Sequence, residues 1–218
     1  QLMVSKDDDR IEMAENLLGM LELSQNLLSI SDDLDNSSSS SSNKSSNGDI
    51  ISAISLDTIA TAAKFLGTDF QTELIDYLYP AIEHLASSSW MVVKHSQNTV
   101  LQLAHTVYHG SVEQLIIDNS DYLLDSLNLK LMNISFGPDT IKVLIVLMKI
   151  AGGELVEKLE DIINSSFILL DLYHGYSALT NGFFMVFNEI LNTIYQQYII
   201  DGKYEFEVLS EINNELKE

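Results

Sequence analysis

Apolar residues recur at helical intervals along most of the chain, and the clearest run extends from Val112 to Tyr173. It predicts three consecutive helices separated by strong turn signals. The first covers Ser111 to Ile134, and the spacing of its apolar residues places them on one helix face. These residues are Val112, Leu115, Ile116, Leu123, Leu127 and Leu131. Phe136-Gly137-Pro138 is expected to end this helix, because proline cannot continue the hydrogen-bond ladder.

Two further helices are predicted in this run. The second begins at Asp139 or Thr140 and ends at Gly152-Gly153. It is apolar on almost every side, which indicates burial against several neighbours. The third runs from Glu154 to Tyr173 and is closed by His174-Gly175. Its predicted stripe is Leu155, Leu159, Ile162, Ile163, Ser166, Leu170 and Tyr173.

Helices this short, with apolar faces too wide for one neighbour, bury those faces by stacking in pairs. The pattern therefore predicts an all-α fold, a HEAT- or armadillo-type α-solenoid of stacked antiparallel helix pairs. The 46% apolar share is enough for a sizeable core. The chain has no long alternating runs of Val, Thr and Tyr of the kind that would indicate a β fold.

The chain ahead of this run is predicted to hold a helix, a linker and the first full repeats. Asp7-Asp8-Asp9 is expected to cap a helix from Arg10 to Ile30, so residues 1–30 form the N-terminal helix of a truncated repeat. Residues 31–49 contain six consecutive serines and are expected to be a disordered insertion, because they cannot bury enough apolar surface. HEAT-like repeats are predicted for residues 50–218. The stripe of the first helix is Ile11, Ala14, Leu17, Leu18, Leu21 and Leu28.

Three helices are predicted in the next part of the chain. The first runs from Ile50 to Leu66, and the second runs from Phe70 to about Ala86 with a kink or break at Pro80. The third runs from Trp90 to Val107, and Trp90 is expected to pack between repeats rather than to stand exposed. Its stripe is Val93, Val100, Leu103 and Val107.

The C-terminal part is predicted to add an aromatic-rich helix and a short acidic one. The first runs from Tyr176 to Ile199, and Asp201-Gly202 forms a turn before the second, from Glu205 to Leu216. The aromatic residues are Phe183, Phe184, Phe187, Tyr195 and Tyr198.

Several elements between residues 100 and 195 resemble a known family. They are Asn119-Ser120-Asp121-Tyr122-Leu123, Pro138, Val143-Leu144 and Leu170-Asp171-Leu172-Tyr173-His174. They are similar to Tel-two-interacting protein one, the large HEAT-repeat subunit of the Triple-T cochaperone complex. The Asn-x-Asp-Tyr-Leu element with its downstream proline is the most specific part. Members of that family are several times longer, so the resemblance implies an internal or C-terminal-half fragment.

The resemblance implies a non-catalytic scaffold subunit that acts through its solenoid surfaces. It further implies a role in the maturation and stability of phosphatidylinositol-3-kinase-related kinases, and hence in TOR signalling. The implied partners are the other Triple-T subunits, the client kinases and a heat-shock chaperone adaptor. They would form a hetero-oligomer in the cytoplasm and nucleus, and no cofactor is implied.

The residues of the resembling elements are expected to be structural. Asn119 and Asp121 would bond backbone groups near a turn or helix kink, and Tyr122 would pack between repeats. The alternative is that Asp121 and Tyr122 form a binding hot spot. The structural set is completed by Leu123, Pro138, Leu170, Asp171 and Tyr173.

Charge narrows the range of partners. The net charge is −21, which disfavours binding to nucleic acid or to an anionic membrane through a basic patch. Acidic residues concentrate at the two ends, with ten acids against three bases in residues 1–49 and twelve against three in residues 154–218. The longest purely apolar runs are shorter than the ~20 residues that a membrane span needs. The absence of cysteine excludes disulfides and thiolate chemistry.

No motif points to catalysis or to a metal. His105 and His109 are four residues apart, but Gly110 ends their helix and no third ligand has suitable spacing. No phosphate-binding loop, Gly-x-Ser-x-Gly or His-Glu-x-x-His motif is present. The alternatives to the cochaperone scaffold are another HEAT-repeat scaffold, such as a nuclear transport receptor of the importin type, and a helical enzyme domain.

Ser29 and Ser31 are candidate phosphorylation sites. Asp32, Asp33 and Asp35 follow them closely, a pattern that acid-directed kinases select. A phosphate near the C-terminal end of the first helix would oppose the helix dipole. We therefore expect phosphorylation to fray that helix end and to offer an acidic strip to a basic partner.

Overall fold

The computed structural model describes residues 13, 16–30, 45–132 and 138–200, and every regular element among them is helical. The predicted all-α class is therefore confirmed. The chain divides into two compact units, Gln1–Leu115 and Ile116–Glu218. A continuous solenoid through both units stays a prediction.

In the part that the structure describes, the first unit contains four main helices. They are α1 (residues 16–30), α2 (Ser45–Leu66), α3 (Leu74–Glu83) and α4 (Trp90–Val107). Turns of 3₁₀ helix at Gly67–Thr72 and His84–Ala86 flank α3. Helix α5 (Val112–Asp118) contains the division between the units.

Buried hydroxyl groups connect α4 to its neighbours. Ser96 Oγ donates to the carbonyl oxygen of Ala81 in α3 at 2.6 Å, and Thr99 Oγ1 lies 2.9 Å from the carbonyl oxygen of Leu56 in α2. Both hydroxyl side chains are fully buried. At the edge of the same contact, His95 Nδ1 lies 2.8 Å from Asp57 Oδ1. These bonds fix the register of α4 on α2 and α3, because a buried polar group must keep its partner.

One helical stretch in the described residues, Asn47–Thr72, is long and apolar enough to cross a membrane by length and composition, with a mean hydropathy of 1.4. Its most apolar part is 44% buried. Leu56, Ile59 and Ala63 are inaccessible to solvent. A core helix passes the same test, so this stretch is weak evidence for a membrane span.

Three details of the first unit differ from the sequence predictions. Helix α2 begins at Ser45, so residues 45–49 are helical rather than part of the linker. Leu18 is 41% exposed, whereas Leu21 and Leu28 of the same predicted stripe are buried. Trp90 is 74% exposed, so the prediction that it packs between repeats is wrong. The cap at Asp7–Asp9, residues 31–44 and Ile11 and Ala14 lie outside the described residues.

The helix around Pro80 was predicted too long. A 3₁₀ turn takes Gly67–Thr72, and α3 begins only at Leu74. Pro80 lies inside α3, and the regular helix ends after it at Glu83. There His84 Nδ1 lies 2.8 Å from the carbonyl oxygen of Pro80, which also accepts the backbone N–H of His84.

Among its described residues, the second unit also contains four main helices, with one short helical turn between two of them. They are α6 (Ser120–Met132), α7 (Pro138–Ala151), α9 (Glu160–Tyr173) and α10 (Ser177–Ile194), and α8 (Gly153–Val156) lies between α7 and α9. A turn of π-helix, Tyr195–Ile200, follows α10. The helix predicted from Ser111 to Ile134 is thus broken at Asn119. The helix predicted from Glu154 is broken before Glu160, and Pro138 itself begins α7, since its missing N–H costs nothing in a first turn.

Helices α7 and α10 lie side by side and run in the same direction. A Cβ atom added at Gly182, near the start of α10, would lie 2.8 Å from Cδ1 of Ile141, near the start of α7. A Cβ atom at Gly153, just after α7, would overlap the side-chain amide of Gln197, just after α10. Corresponding helices of successive pairs stack in this way in α-solenoids. The second unit is therefore consistent with stacked helix pairs.

The core of the second unit includes most of the predicted stripe residues. Leu155, Leu159, Ile162 and Ser166 are buried. In α9, however, the fully packed position is Leu169, which is 4% exposed, whereas the predicted Leu170 is only half-buried. The predicted helix at residues 205–216 and the turn before it lie outside the described residues.

Candidate protein-interaction surface

The outward faces of α9 and α10 carry large apolar side chains that the second unit leaves exposed. We call these residues the α9–α10 surface. They are Phe167 (58% exposed), Ile168 (52%), Leu172 (65%), Phe184 (61%) and Leu191 (67%). Exposed apolar side chains that form one patch, rather than isolated ones, mark sites where a protein contacts another molecule.

A ring contact makes these side chains one continuous surface. Phe167 of α9 stacks on Phe187 of α10, with 5.2 Å between ring centroids and 23° between ring planes. Phe184 and Leu191 lie three and four residues from Phe187, which makes them its neighbours on the surface of α10. Leu172 follows Ile168 by four residues on α9 in the same way. The apolar side chains thus extend from one helix to the other without a polar gap at the contact.

The two helices carry negative charge only. Residues 160–194 contain Glu160, Asp161, Asp171 and Glu189, and they contain no lysine or arginine. Glu160, Asp161 and Asp171 are exposed on α9, on the same side as Ile168 and Leu172. The α9–α10 surface is therefore apolar with an acidic edge.

A shallow groove of about 400 Å³ borders this surface between α7 and α10. Its α10 side is formed by Phe184 and Met185 together with Asn181, Asn188 and Glu189, and its α7 side by Ile145 and Lys149. Met185 is also exposed, at 60%. The groove widens the exposed apolar region towards α7, and Phe184 belongs to both.

The break between α5 and α6 creates a polar contact just ahead of the start of α9. Lys158, just ahead of α9, donates to Ser120 Oγ at 2.6 Å and to Asp121 Oδ1 at 2.9 Å. Ser120 is fully buried and donates its own hydroxyl hydrogen to the carbonyl oxygen of Ile117 at 2.7 Å. We call this set the Lys158 clasp. It ties the first residues of α6 to the residues that precede α9.

The clasp perturbs the carboxyl group of Asp121. The hydrogen bond from Lys158, and then the positive charge of the same ammonium group, lower the pKa of Asp121 below its usual range. The carboxylate is exposed, so solvent screens the ion pair. The contact is chiefly geometric, and the buried hydroxyl of Ser120 is engaged by Lys158 and by the carbonyl oxygen of Ile117.

The predicted structural residues do not converge on one place. Asn119 marks the helix break, as the predicted kink required, and Leu123 is fully buried. Asp121 bonds the side chain of Lys158 rather than a backbone group, which corrects the prediction for that residue. Tyr122 is half-buried, and its role in packing between repeats stays a prediction.

The downstream residues of the set lie on α7 and α9. Pro138 is the first residue of α7, and Leu170 is half-buried. Asp171 is exposed beside the α9–α10 surface, and its backbone carbonyl accepts a bond from His174 Nδ1 at 2.9 Å. Tyr173 packs edge-on against Tyr176, with 5.9 Å between ring centroids.

The sequence reasoning missed both the clasp partner and the exposed surface. Lys158 is 37 residues from Asp121 in sequence, and no local pattern joins them. The surface had a signal, because Phe167-Ile168 and Phe183-Phe184 are adjacent apolar pairs. Neighbouring residues point about 100° apart on a helix, so one member of each pair tends to leave the core. Phe183 is fully buried, and Phe184 is 61% exposed.

The other candidate residues show no convergence. Ser29 is exposed on α1, and its hydroxyl donates to the carbonyl oxygen of Asn26 at 2.8 Å. Ser31 lies outside the described residues, so phosphorylation of this pair stays a prediction. His105 and His109 are exposed, and no group of three or more His, Cys, Asp or Glu side chains suited to a metal occurs in the part of the chain that the structure describes.

Sequence comparison identifies the relatives of this chain. The family model described as TELO2-interacting protein 1 matches residues 78–167. TEL2-interacting protein 1 of Saccharomyces cerevisiae is 39% identical over 145 residues, which make up 66% of this chain and 14% of the yeast protein. The matched part of this chain, residues 78–167, belongs to the TELO2-interacting protein 1 family. The resemblance drawn from Asn119 to Tyr173 is thereby confirmed.

Mammalian members of the TELO2-interacting protein 1 family align over a shorter part. The TELO2-interacting protein 1 homologs of Mus musculus and Homo sapiens are 29% and 28% identical over 125 residues. These residues make up 57% of this chain and 12% of either homolog. The chain thus spans a small fraction of the length of its relatives. The matched segment 78–167 contains the whole Lys158 clasp and ends within α9, before α10 begins.

Proposed function

We propose that this chain is a non-catalytic scaffold segment that binds partner proteins through its helical surfaces within a complex containing a TELO2-type protein. The observation that carries the proposal is membership of a family whose yeast, mouse and human members are named for interaction with TEL2 or TELO2. The exposed α9–α10 surface supplies a physical reason, since a large uncovered apolar patch is costly unless a partner covers it.

The finer part of the proposal concerns what the complex does. It serves the maturation of phosphatidylinositol-3-kinase-related kinases as part of a Triple-T cochaperone assembly, together with a heat-shock chaperone adaptor. The support for this part is the family resemblance. The acidity of the chain agrees with protein partners rather than nucleic acid, because a net charge of −21 repels phosphate backbones.

The test is direct binding to a TELO2-type protein. The complete chain and the yeast TEL2 protein are co-expressed, purified through a tag on either partner, and analysed by size-exclusion chromatography with light scattering. We expect a stoichiometric complex that withstands gel filtration. Two folded proteins that elute separately at micromolar concentration would show that this segment does not carry the interaction.

A further inference from the structure

We propose that the α9–α10 surface binds an amphipathic helix of a partner protein, with apolar side chains on Phe167, Phe184 and Leu191 and lysines or arginines against Asp161 and Asp171. This inference rests on the proposed function, because it names the kind of segment that a scaffold partner presents. It goes beyond that function by assigning a surface and the chemistry of its ligand.

The shape of the surface favours a helix as the ligand. The stacked pair Phe167 and Phe187 joins α9 to α10, so the apolar residues form a strip across two packed helices rather than a deep pocket. A strip of this kind accepts side chains spaced at three, four and seven residues on one face of a helix. The shallow groove beside Phe184 and Met185 gives such a helix a place for a further apolar side chain.

The negative charge of the α9–α10 surface determines which side chains the ligand helix should carry beside its apolar face. Asp161 and Asp171 are exposed at the edge of the strip, and no lysine or arginine occurs between residues 160 and 194. Lys149 lies on the α7 side of the groove. A ligand with basic residues on the side of its apolar face that lies along α9 therefore meets opposite charge there, which favours its association and its orientation.

The same charges argue against a second copy of this chain as the occupant. Two α9–α10 surfaces placed face to face would bring the three exposed carboxylates of α9 in each copy together, without a compensating lysine or arginine from residues 160–194. Like charges at an interface are unfavourable. An anionic membrane surface is disfavoured for the same reason.

Two synthetic peptides provide the probe. Both are eighteen-residue designs with an identical leucine face, and their polar faces are lysine in one and glutamate in the other. Binding to the complete chain is measured by fluorescence anisotropy as a function of salt. We expect the lysine peptide to bind and the glutamate peptide to bind at least ~10-fold more weakly, with the difference shrinking as salt rises.

Variants assign that binding to the surface. Phe184→Ser/Leu191→Ser removes exposed apolar area and should weaken lysine-peptide binding by about 10-fold or more. Asp161→Asn/Asp171→Asn should weaken it by about 3-fold to 10-fold and flatten its salt dependence. The matched control is Asp69→Asn/Asp76→Asn, two exposed acids of the first unit, which makes the same change in net charge and should leave affinity within about 2-fold. Thermal unfolding followed by circular dichroism confirms that each variant is folded.

The outcomes separate this inference from the proposed function. Equal binding of both peptides, equal effects of the two acid-pair variants, or a dimer that Phe184→Ser/Leu191→Ser dissociates would each overturn the inference. In a parallel arm, the same variants are tested against the yeast TEL2 protein. TEL2 binding that Phe184→Ser/Leu191→Ser leaves unchanged overturns the inference and keeps the function. Absence of TEL2 binding by the wild-type chain overturns the function, whatever the peptides show.

Discussion

Helices α4 and α10 each contain eighteen residues and both expose large apolar side chains, yet they differ in the polar contacts that they bury. Helix α4 buries Ser96 and Thr99 against its neighbours, and each hydroxyl has a backbone partner. Helix α10 leaves Phe184 and Leu191 in solvent. A buried hydroxyl fixes one arrangement of helices, whereas an exposed aromatic ring offers area to another molecule. The comparison therefore contrasts buried hydrogen bonds, which fix internal packing, with an exposed apolar strip, which offers area for contact.

The strongest test replaces a core leucine in each of the two units. Leu144 of α7 and Leu103 of α4 are both buried, so Leu144→Asp and Leu103→Asp should each cost several kcal/mol because an unpaired carboxylate enters an apolar site. Leu170→Asp should cost clearly less, since Leu170 is only half-buried. Chemical denaturation gives the magnitudes. Hydrogen exchange should show lost protection around residues 111–175 first for Leu144→Asp, and wild-type protection there would contradict us.

A glycine in an unusual backbone conformation gives the next largest effect. Gly152, after α7, has φ 62° and ψ −146°, a combination that is nearly restricted to glycine. Gly152→Ala should therefore destabilise the protein by ~1–3 kcal/mol. Gly19 in α1 has no neighbouring atom within 4 Å of an added Cβ, so Gly19→Ala should instead stabilise it by up to ~1 kcal/mol. Effects of the same sign in thermal unfolding would show that backbone strain is not the cause.

The sequence predicts helix positions better than it predicts which side of a helix is covered. Leu123, Leu127 and Leu131 are buried as their spacing requires, because helical periodicity is a local property. Trp90 and Phe184 are exposed although both are large and apolar, since their burial depends on neighbours that lie far away in sequence. Periodicity identifies the apolar face of a helix, and only the packing of other helices determines whether that face is covered.

The Lys158 clasp shows the same limit for polar residues. The motif at Asn119-Ser120-Asp121 signals a turn, and the structure has a helix break there. Nothing near Asp121 indicates that Lys158 is its partner, because the two approach only when α6 and α9 begin side by side. Candidate motifs could thus be located from sequence, whereas their contacts could not.

A smaller effect tests the buried hydrogen bonds of α4. Ser96→Ala removes the donor to the carbonyl oxygen of Ala81 and should cost ~1–2 kcal/mol, because that oxygen stays buried without this partner. Ser29→Ala removes a hydroxyl that is exposed and bonded within its own helix, so its effect should be near zero. Equal losses in urea denaturation would indicate that burial of the hydroxyl does not matter.

The smallest expected effect concerns the Lys158 clasp, whose contribution to stability should change with pH in a defined direction. The folded pKa of Asp121 is lowered by Lys158, so the clasp contributes stability at pH values above the ordinary carboxyl pKa. That contribution should disappear as pH falls from ~4, the unfolded value, through the lowered folded value. Relative to the wild-type chain, Lys158→Met should therefore lose slightly more stability at pH 7 than at pH 3. When Asp121→Asn is already present, Lys158→Met should have the same effect at both pH values. Because Asp121 is exposed, added salt should reduce the effect of Lys158→Met at pH 7. If neither pH nor salt alters the stability lost in Lys158→Met, that loss comes from packing of the lysine side chain and not from the ion pair.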